Sequence, residues 1–207
     1  MFHWLIEMDK KALLFFNSIH SPKWDSILYW ISDNDAKNWI PLYVFLLIFI
    51  IYKERPYRFI LTILFVVITV ALCDQISVLI KNLVERPRPS RDPGIADLLH
   101  IVNNYRGGKY GFVSSHAANA FGVAIFLSNQ FKNCKWSLFL FTWATVVSCS
   151  RVYLGVHYPL DIICGAGLGV LIGIQCYFFK VRTAVYFKRH IDIRKMKKAA
   201  SKRKGSN

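Results

Sequence analysis

From Trp39 onward the sequence is a series of long apolar runs separated by short polar breaks. A helix needs about 20 predominantly apolar residues to cross a bilayer. Five segments come close: Trp39 to Tyr52, extendable toward Asp35 as an N-cap; Phe59 to Ile80, interrupted only by Asp74 and Gln75; His116 to Phe131; Trp136 to about Gly155; and Leu160 to Phe179. Upstream, Leu5 to Asn17 and Trp24 to Ser32 are shorter amphipathic stretches on either side of Ser21 and Pro22. Each is too short to cross easily, so they lie in the interface, re-enter, or pack together as a further crossing. The pattern predicts an all-α integral membrane protein with five or six transmembrane helices. Its divisions are interfacial or re-entrant helices over residues 1–38, a transmembrane domain over 39–180 and a basic tail over 181–207.

Composition agrees with a membrane protein and adds an orientation. Of 207 residues, 54% are hydrophobic and 15% aromatic, which excludes disorder, collagen-like repeats and nucleic-acid-binding tails as the main content. Lys and Arg number 27 against 12 acids, a net charge of +15, and eleven of the cations lie from Lys180 to the end, with Asp192 as their one acid. Hydrophobic spans immediately upstream favour a cytoplasmic tail near anionic lipid over a nucleic-acid arm, so no nucleic-acid partner is expected. With that tail inside, Lys53, Arg55, Arg58, Lys132 and Lys135 are also inside, and the connections 81–115 and 156–159 are outside. The outer connection then carries Lys81, Arg86, Arg88, Arg91, Arg106 and Lys109, against the usual charge bias. Such a cluster needs a chemical reason.

Other features change the picture less. The N-terminal MFHWLIEMDKK has no basic region before its apolar residues and no small-residue cleavage site, so it does not read as a cleavable signal. The five cysteines form no CxxC pair and read as small core residues. Gly165, Gly169 and Gly173 recur every four residues along one helix face, a spacing that lets another helix approach closely. A helix of the same chain is the favoured partner, and the oligomeric state is left open. Asp74, seven residues before Lys81 on the same face, reads as a structural partner or a substrate contact. Glu85 and Arg86 read as a local pair.

Three polar blocks sit at the outer ends of the predicted spans: KNLVERPRP over 81–89, VSSH over 113–116 and SRVYLGVHYPLD over 150–161. Individually, their cations could serve as interfacial anchors and their histidines as turn or helix-start residues. Together they supply three cations, two imidazoles and a carboxylate to one membrane face. Lys81, Arg88 and Arg151 can surround a tetrahedral dianion, and the amides of Ser114, Ser115 and His116 open a helix at its positive end. His157 lies four residues before Asp161, whose carboxylate can take one ring N–H and leave the other nitrogen as a nucleophile. His116 is then the acid that protonates the leaving oxygen and later helps activate water.

These blocks resemble the three-part signature of the type 2 phosphatidic acid phosphatase (PAP2) superfamily: Lys81, six residues, Arg88 and Pro89; Ser114 and His116; Ser150, Arg151, five residues, His157, three residues and Asp161. The resemblance spans Lys81 to Asp161, about half the chain. It implies a helical fold shared with vanadium haloperoxidases and a metal-independent lipid-phosphate phosphatase working through a phosphohistidine, with no cofactor. Carried over, Lys81, Arg88 and Arg151 bind phosphate, His157 attacks, His116 is the acid and Asp161 orients His157. Val113 and Ser115 stand where the family usually has Pro and Gly, so Ser115 contributes its hydroxyl or shifts the donor geometry. Undecaprenyl diphosphate, lipid A phosphates, and phosphatidylglycerophosphate or phosphatidate all fit as substrates, with the site on the outer face of a plasma membrane. A catalytically idle phospholipid-binding or flipping protein is the alternative from another class.

Overall fold

The structure, a computed structural model, describes residues 3–32, 45–48, 50–52, 54 and 56–204, with side chains described except those of 56, 57 and 191–204. Two short helices open it, α1 (His3–Ser18) and α2 (Pro22–Ser32), and both are inside out. They bury Asp9, Asn17 and Ser32 while Trp4, Phe15, Phe16, Trp24 and Trp30 face outward. That inversion suits helices whose outer surface meets lipid and whose inner surface meets a polar site. Residues 45–48 and 50–52 are helical; the rest of the predicted first span up to residue 44, and Asp35, lie outside the described residues.

Four long helices follow: α3 (Pro56–Val84), α4 (Ser115–Phe131), α5 (Cys134–Tyr153) and α6 (Pro159–Lys204). Among the described residues, two stretches are long and apolar enough to cross a membrane, Arg58–Val84 and Pro159–His190, with mean hydropathies of 2.5 and 2.0. Most of the first is unburied, leaving Ile60, Leu64, Val67, Leu79 and Leu83 on its outer face. The fold is all-helical, and among the described residues the single extended pairing is an isolated bridge between Pro87 and Tyr110.

Local signals set the helix ends. The Ser114 side chain accepts from the Ala117 amide at the start of α4, and the Asn133 side chain accepts from Trp136 at the start of α5. Between those two helices Lys132 adopts a left-handed conformation, which turns the chain within three residues. The predicted stretches 59–80 and 116–131 lie within α3 and α4; α5 ends at Tyr153, short of the predicted Gly155, and the C-terminal end needs a correction. Helix α6 does not stop near Phe179 but runs unbroken to Lys204, about 69 Å at 1.5 Å per residue. Lys180, where the basic run begins, is buried, donating to Gln130 Oε1 at 2.5 Å with Glu54 at 3.6 Å. This polar knot closes the end of the bundle opposite the 81–115 connection.

The glycine stripe of α6 packs within the chain, against α4. A Cβ on Gly165 would lie 2.5 Å from the Ser114 carbonyl oxygen, one on Gly169 2.2 Å from that of Ala118, and one on Gly173 2.3 Å from that of Gly122. Two ladders of small residues thus bring the backbones of α4 and α6 together, with Phe65, Cys73, Phe126, Leu140, Ala144, Ile172 and Cys176 packed around them. The cysteine reading needs correction: Cys73 and Cys176 are core, whereas Cys134, Cys149 and Cys164 are exposed. Apolar runs in a membrane protein include lipid-facing positions, and hydrophobicity alone does not separate these from the core.

Because the obstacle at Gly169 is backbone, Gly169→Val forces the helices apart and costs about 1–3 kcal/mol, read as a lower melting temperature in detergent. Gly167 has open space around its Cβ position, so Gly167→Ala leaves the melting temperature unchanged or raises it.

Candidate active site

The three polar blocks meet where α3 ends, α4 and α6 begin and α5 ends. Backbone hydrogen bonds hold this meeting together. The Ser114 amide donates to the Asp161 carbonyl at 3.0 Å, joining the starts of α4 and α6. The Arg151 carbonyl accepts from the Val156 amide at 3.1 Å and the His157 amide at 3.3 Å, which folds the α5–α6 turn. The Gly111 amide donates to the Arg86 carbonyl at 2.9 Å, pairing the two arms of the 81–115 connection.

His157 lies at the bottom, 1% exposed, with Asp161 at 0% and Arg151 at 1%. Its Nδ1 faces Asp161 Oδ2 at 3.4 Å, and the same oxygen accepts from the Tyr158 amide at 3.0 Å. Lys81, at the end of α3, donates to the Ser115 hydroxyl. Arg88 is half-buried; its Nε donates to the Tyr110 carbonyl at 3.1 Å and its Nη1 to that of Val156 at 3.5 Å. Gly107, at φ +63°, underlies Arg88: a Cβ there would sit 2.6 Å from the guanidinium. Arg151 directs its fork to Ser32, at 2.5 Å from the carbonyl oxygen and 2.6 Å from Oγ, and to the Tyr105 hydroxyl at 2.8 Å.

The electrostatics are those of a pocket with excess positive charge. Burial and then the Arg151 guanidinium push Arg88 down to about 10, so it remains a cation at neutral pH. Burial, followed by Arg88, Arg151 and Lys81, holds His157 well below the ordinary imidazole range. Arg151, His157, Arg88 and Lys81 also act electrostatically on His116, which is half-buried in the first turn of α4. A neutral imidazole thus sits among three cations, an environment that favours an anion and leaves the ring unprotonated. Among the described residues no group of three or more His, Cys, Asp or Glu gathers to hold a metal ion.

Two expectations need correction. Ser114 was expected to offer its amide to phosphate, but that amide is bonded to the Asp161 carbonyl and its hydroxyl caps α4. The amides at the helix start without a partner among the described residues are those of Ser115 and His116. Nor do Glu85 and Arg86 pair. The chain leaves α3 with Glu85 in the left-handed region, φ 51°, and Arg86 turns inward to Asp161 Oδ1 at 2.8 Å and Asp9 Oδ2 at 2.7 Å. Of the outer cations, Arg91 and Arg106 bond to the carbonyls of Gly107 and Ser90 and pin the connection, while Lys109 is exposed over the Tyr110 ring. Asp74 is half-buried and acts electrostatically on Lys81.

Sequence reasoning missed Asp9, Ser32, Tyr105 and the role of Arg86. A signal was available for the first: Asp9, Leu13 and Asn17 form one buried line at four-residue spacing on a helix whose other faces are apolar or solvated.

An all-helical membrane bundle with a buried, cation-ringed imidazole defines a membrane-bound phosphatase, a hydrolase. The chain belongs to the PAP2 superfamily, whose family model matches residues 59–183. It is 42% identical over 182 residues to a lipid A 4'-phosphatase of Bacteroides thetaiotaomicron, covering 86% of this chain and 79% of that one. To a lipid A 4'-phosphatase of Porphyromonas gingivalis it is 34% identical over 176 residues, 84% of this chain and 73% of that one. Its fold is similar to that of Aquifex aeolicus LpxE, with a TM-score of 0.61 and 24% identity, covering 80% of this chain and 92% of that one. The transmembrane PAP2-type phosphatidylglycerolphosphate phosphatase from Bacillus subtilis matches at a TM-score of 0.64 and 22% identity, over 87% and 88% of the two chains.

The depressed proton affinity of His157 predicts two pH effects. The unfolded imidazole takes up a proton near pH 6.5 and the folded one does not, so stability falls as pH drops below that value. In kcat/KM, corrected for the substrate's own ionisation, the acid limb assigned to His157 falls below pH 6.5. A limb at or above 6.5 would contradict the buried neutral ring.

Proposed function

We propose that this protein removes a phosphate monoester from a lipid A-type glycolipid through a phosphohistidine on His157. The observation that carries this reading is the buried His157–Asp161 pair ringed by Lys81, Arg88 and Arg151. With Nδ1 turned to Asp161, Nε2 is the nitrogen left to attack phosphorus. A P–N bond forms there as the P–O bond to the sugar breaks, and His116 gives its proton to the departing oxygen. Water then attacks the phosphohistidine, His116 takes up the proton, and inorganic phosphate leaves. Lys81, Arg88 and Arg151, with the Ser115 hydroxyl and the first amides of α4, stabilise charge on the non-bridging oxygens.

The substrate class rests on the lipid A 4'-phosphatases, which match most of this chain and exceed 30% identity. A membrane setting keeps the acyl chains in the bilayer while the sugar phosphate reaches the ends of α3, α4 and α6. Five or six crossings, an outward site and a cytoplasmic basic end of α6 complete this reading; the charge distribution of the loops supports them.

In detergent, purified protein releases phosphate from lipid A faster than from undecaprenyl diphosphate, phosphatidylglycerophosphate or phosphatidate, and keeps its activity in chelator. His157→Ala lowers release by about a thousandfold or more. Equal release from the variant would end the phosphohistidine mechanism, and preference for a diphosphate would end the substrate assignment.

A further inference from the structure

Arg86 and Asp9 lie outside the signature residues, yet they touch the carboxylate behind the nucleophile. The Arg86 fork spans two acids, with Nη1 2.8 Å from Asp161 Oδ1 and Nη2 2.7 Å from Asp9 Oδ2. Both acids are buried, the Asp161 side chain at 0% and that of Asp9 at 1%. Asp9 Oδ1 also accepts from the Leu160 amide at 2.9 Å, which fixes the first turn of α6 one residue from Asp161. The Arg86 guanidinium lies over the Tyr158 ring, 3.9 Å from its centroid. Both carboxylates of this relay are held at both oxygens, and its direction is set: Arg86 occupies Oδ1 of Asp161, so Oδ2 is the oxygen turned to His157.

We propose that Asp9 of α1 and Arg86 are positioning residues that set both the orientation and the charge of Asp161, and through it the basicity of His157. This deepens the phosphohistidine reading and rests on it. A guanidinium bonded to Asp161 alone would neutralise that carboxylate and weaken its hold on an imidazolium or a phosphohistidine. Asp9 shares the guanidinium and returns a negative charge to the group. The Asp9–Arg86–Asp161 set then carries a net charge of −1 against the cations that face His157: Lys81 from α3, Arg88 from the connection and Arg151 from α5. His116 faces it from α4 and the Gly111 backbone from the connection. Helix α1 is thus more than an interfacial anchor, because it supplies part of the electrostatic setting of the site.

Opposite charge changes at the two positions separate this role from a structural one. Asp9→Asn keeps an acceptor for the Leu160 amide and removes a negative charge, so the acid limb of kcat/KM moves down. Arg86→Gln removes a positive charge, so the limb moves up. Each shift is about half a unit or more. In both variants kcat falls by about ten- to a hundredfold while KM changes by less than about threefold, because the phosphate-binding cations are untouched. Arg86→Lys keeps the charge, leaves the limb in place and recovers part of kcat. Titration of the His157 ring by 15N NMR in the full-length protein in detergent, assigned by loss of its signal in His157→Gln, reads the same shifts without turnover.

Opposite displacements support the proposal. Unmoved limbs, or limbs displaced the same way, would overturn it. If Arg86→Gln does not fold, Asp9→Asn alone decides by whether its limb moves down. If the wild-type protein releases no phosphate, the functional reading fails, and the NMR titration still reports on the relay.

Discussion

Like charges brought into one partly desolvated pocket repel one another, and the structure must hold Lys81, Arg88 and Arg151 together against that force. In a low-dielectric setting the repulsion is stronger than in water, so the scaffold cannot be loose. Rigidity comes from backbone rather than from the cations' own bonds. The Ser114–Asp161 and Arg151–His157 bonds join segments that carry the charges, and the small-residue ladders of α4 and α6 hold the two helix starts in backbone contact. Two buried acids, Asp9 and Asp161, offset part of the positive charge through Arg86. On the proposed reading a phosphate dianion would offset the rest.

Much of the architecture was legible because apolar runs are local. The apolar runs over 59–80 and 116–131 and the four-residue glycine spacing can be read from neighbours in sequence, and helices cover them. Boundaries set by distant contacts were not legible. The burial of Lys180 was hidden because nothing nearby in sequence pairs with it; its partners, Gln130 and Glu54, lie 50 and 126 positions earlier. Exposed Cys149 and Cys164 read as core for a related reason. In lipid, hydrophobicity reports contact with something apolar, without saying whether that is protein or bilayer.

The candidate site divides along the same line. His157 and Asp161, four residues apart at a helix start, announce their pairing through spacing alone. The bridge from Arg86 to Asp9 spans 77 positions and carries no such mark. Local reasoning gave Arg86 to Glu85 because they adjoin in sequence, although neighbouring side chains do not face each other on a helix. Once Glu85 takes the left-handed conformation, adjacent side chains diverge and Arg86 faces the bundle. Ser114 shows the converse. It precedes Ser115 and His116, but its amide and hydroxyl are occupied by the bond to the Asp161 carbonyl and the cap of α4.

The inverted polarity of α1 and α2 connects the site to the membrane. A helix that buries Asp9 and Asn17 and exposes Trp4, Phe15 and Phe16 is stable only where its outside meets apolar surroundings and its inside meets groups that need hydrogen bonds. The 81–115 connection, the end of α5 and the start of α6 supply those groups: Arg86 and the His100 carbonyl, the Tyr153 carbonyl and Arg151, and the Leu160 amide. The polar face of α1–α2 and the phosphate-seeking pocket are therefore one continuous structure, and neither is well satisfied without the other. On the lipid-phosphate reading this coupling has a function. The same two helices that lie against acyl chains complete the polar wall of the site, so a headgroup can leave the interface for the pocket while its chains remain in lipid.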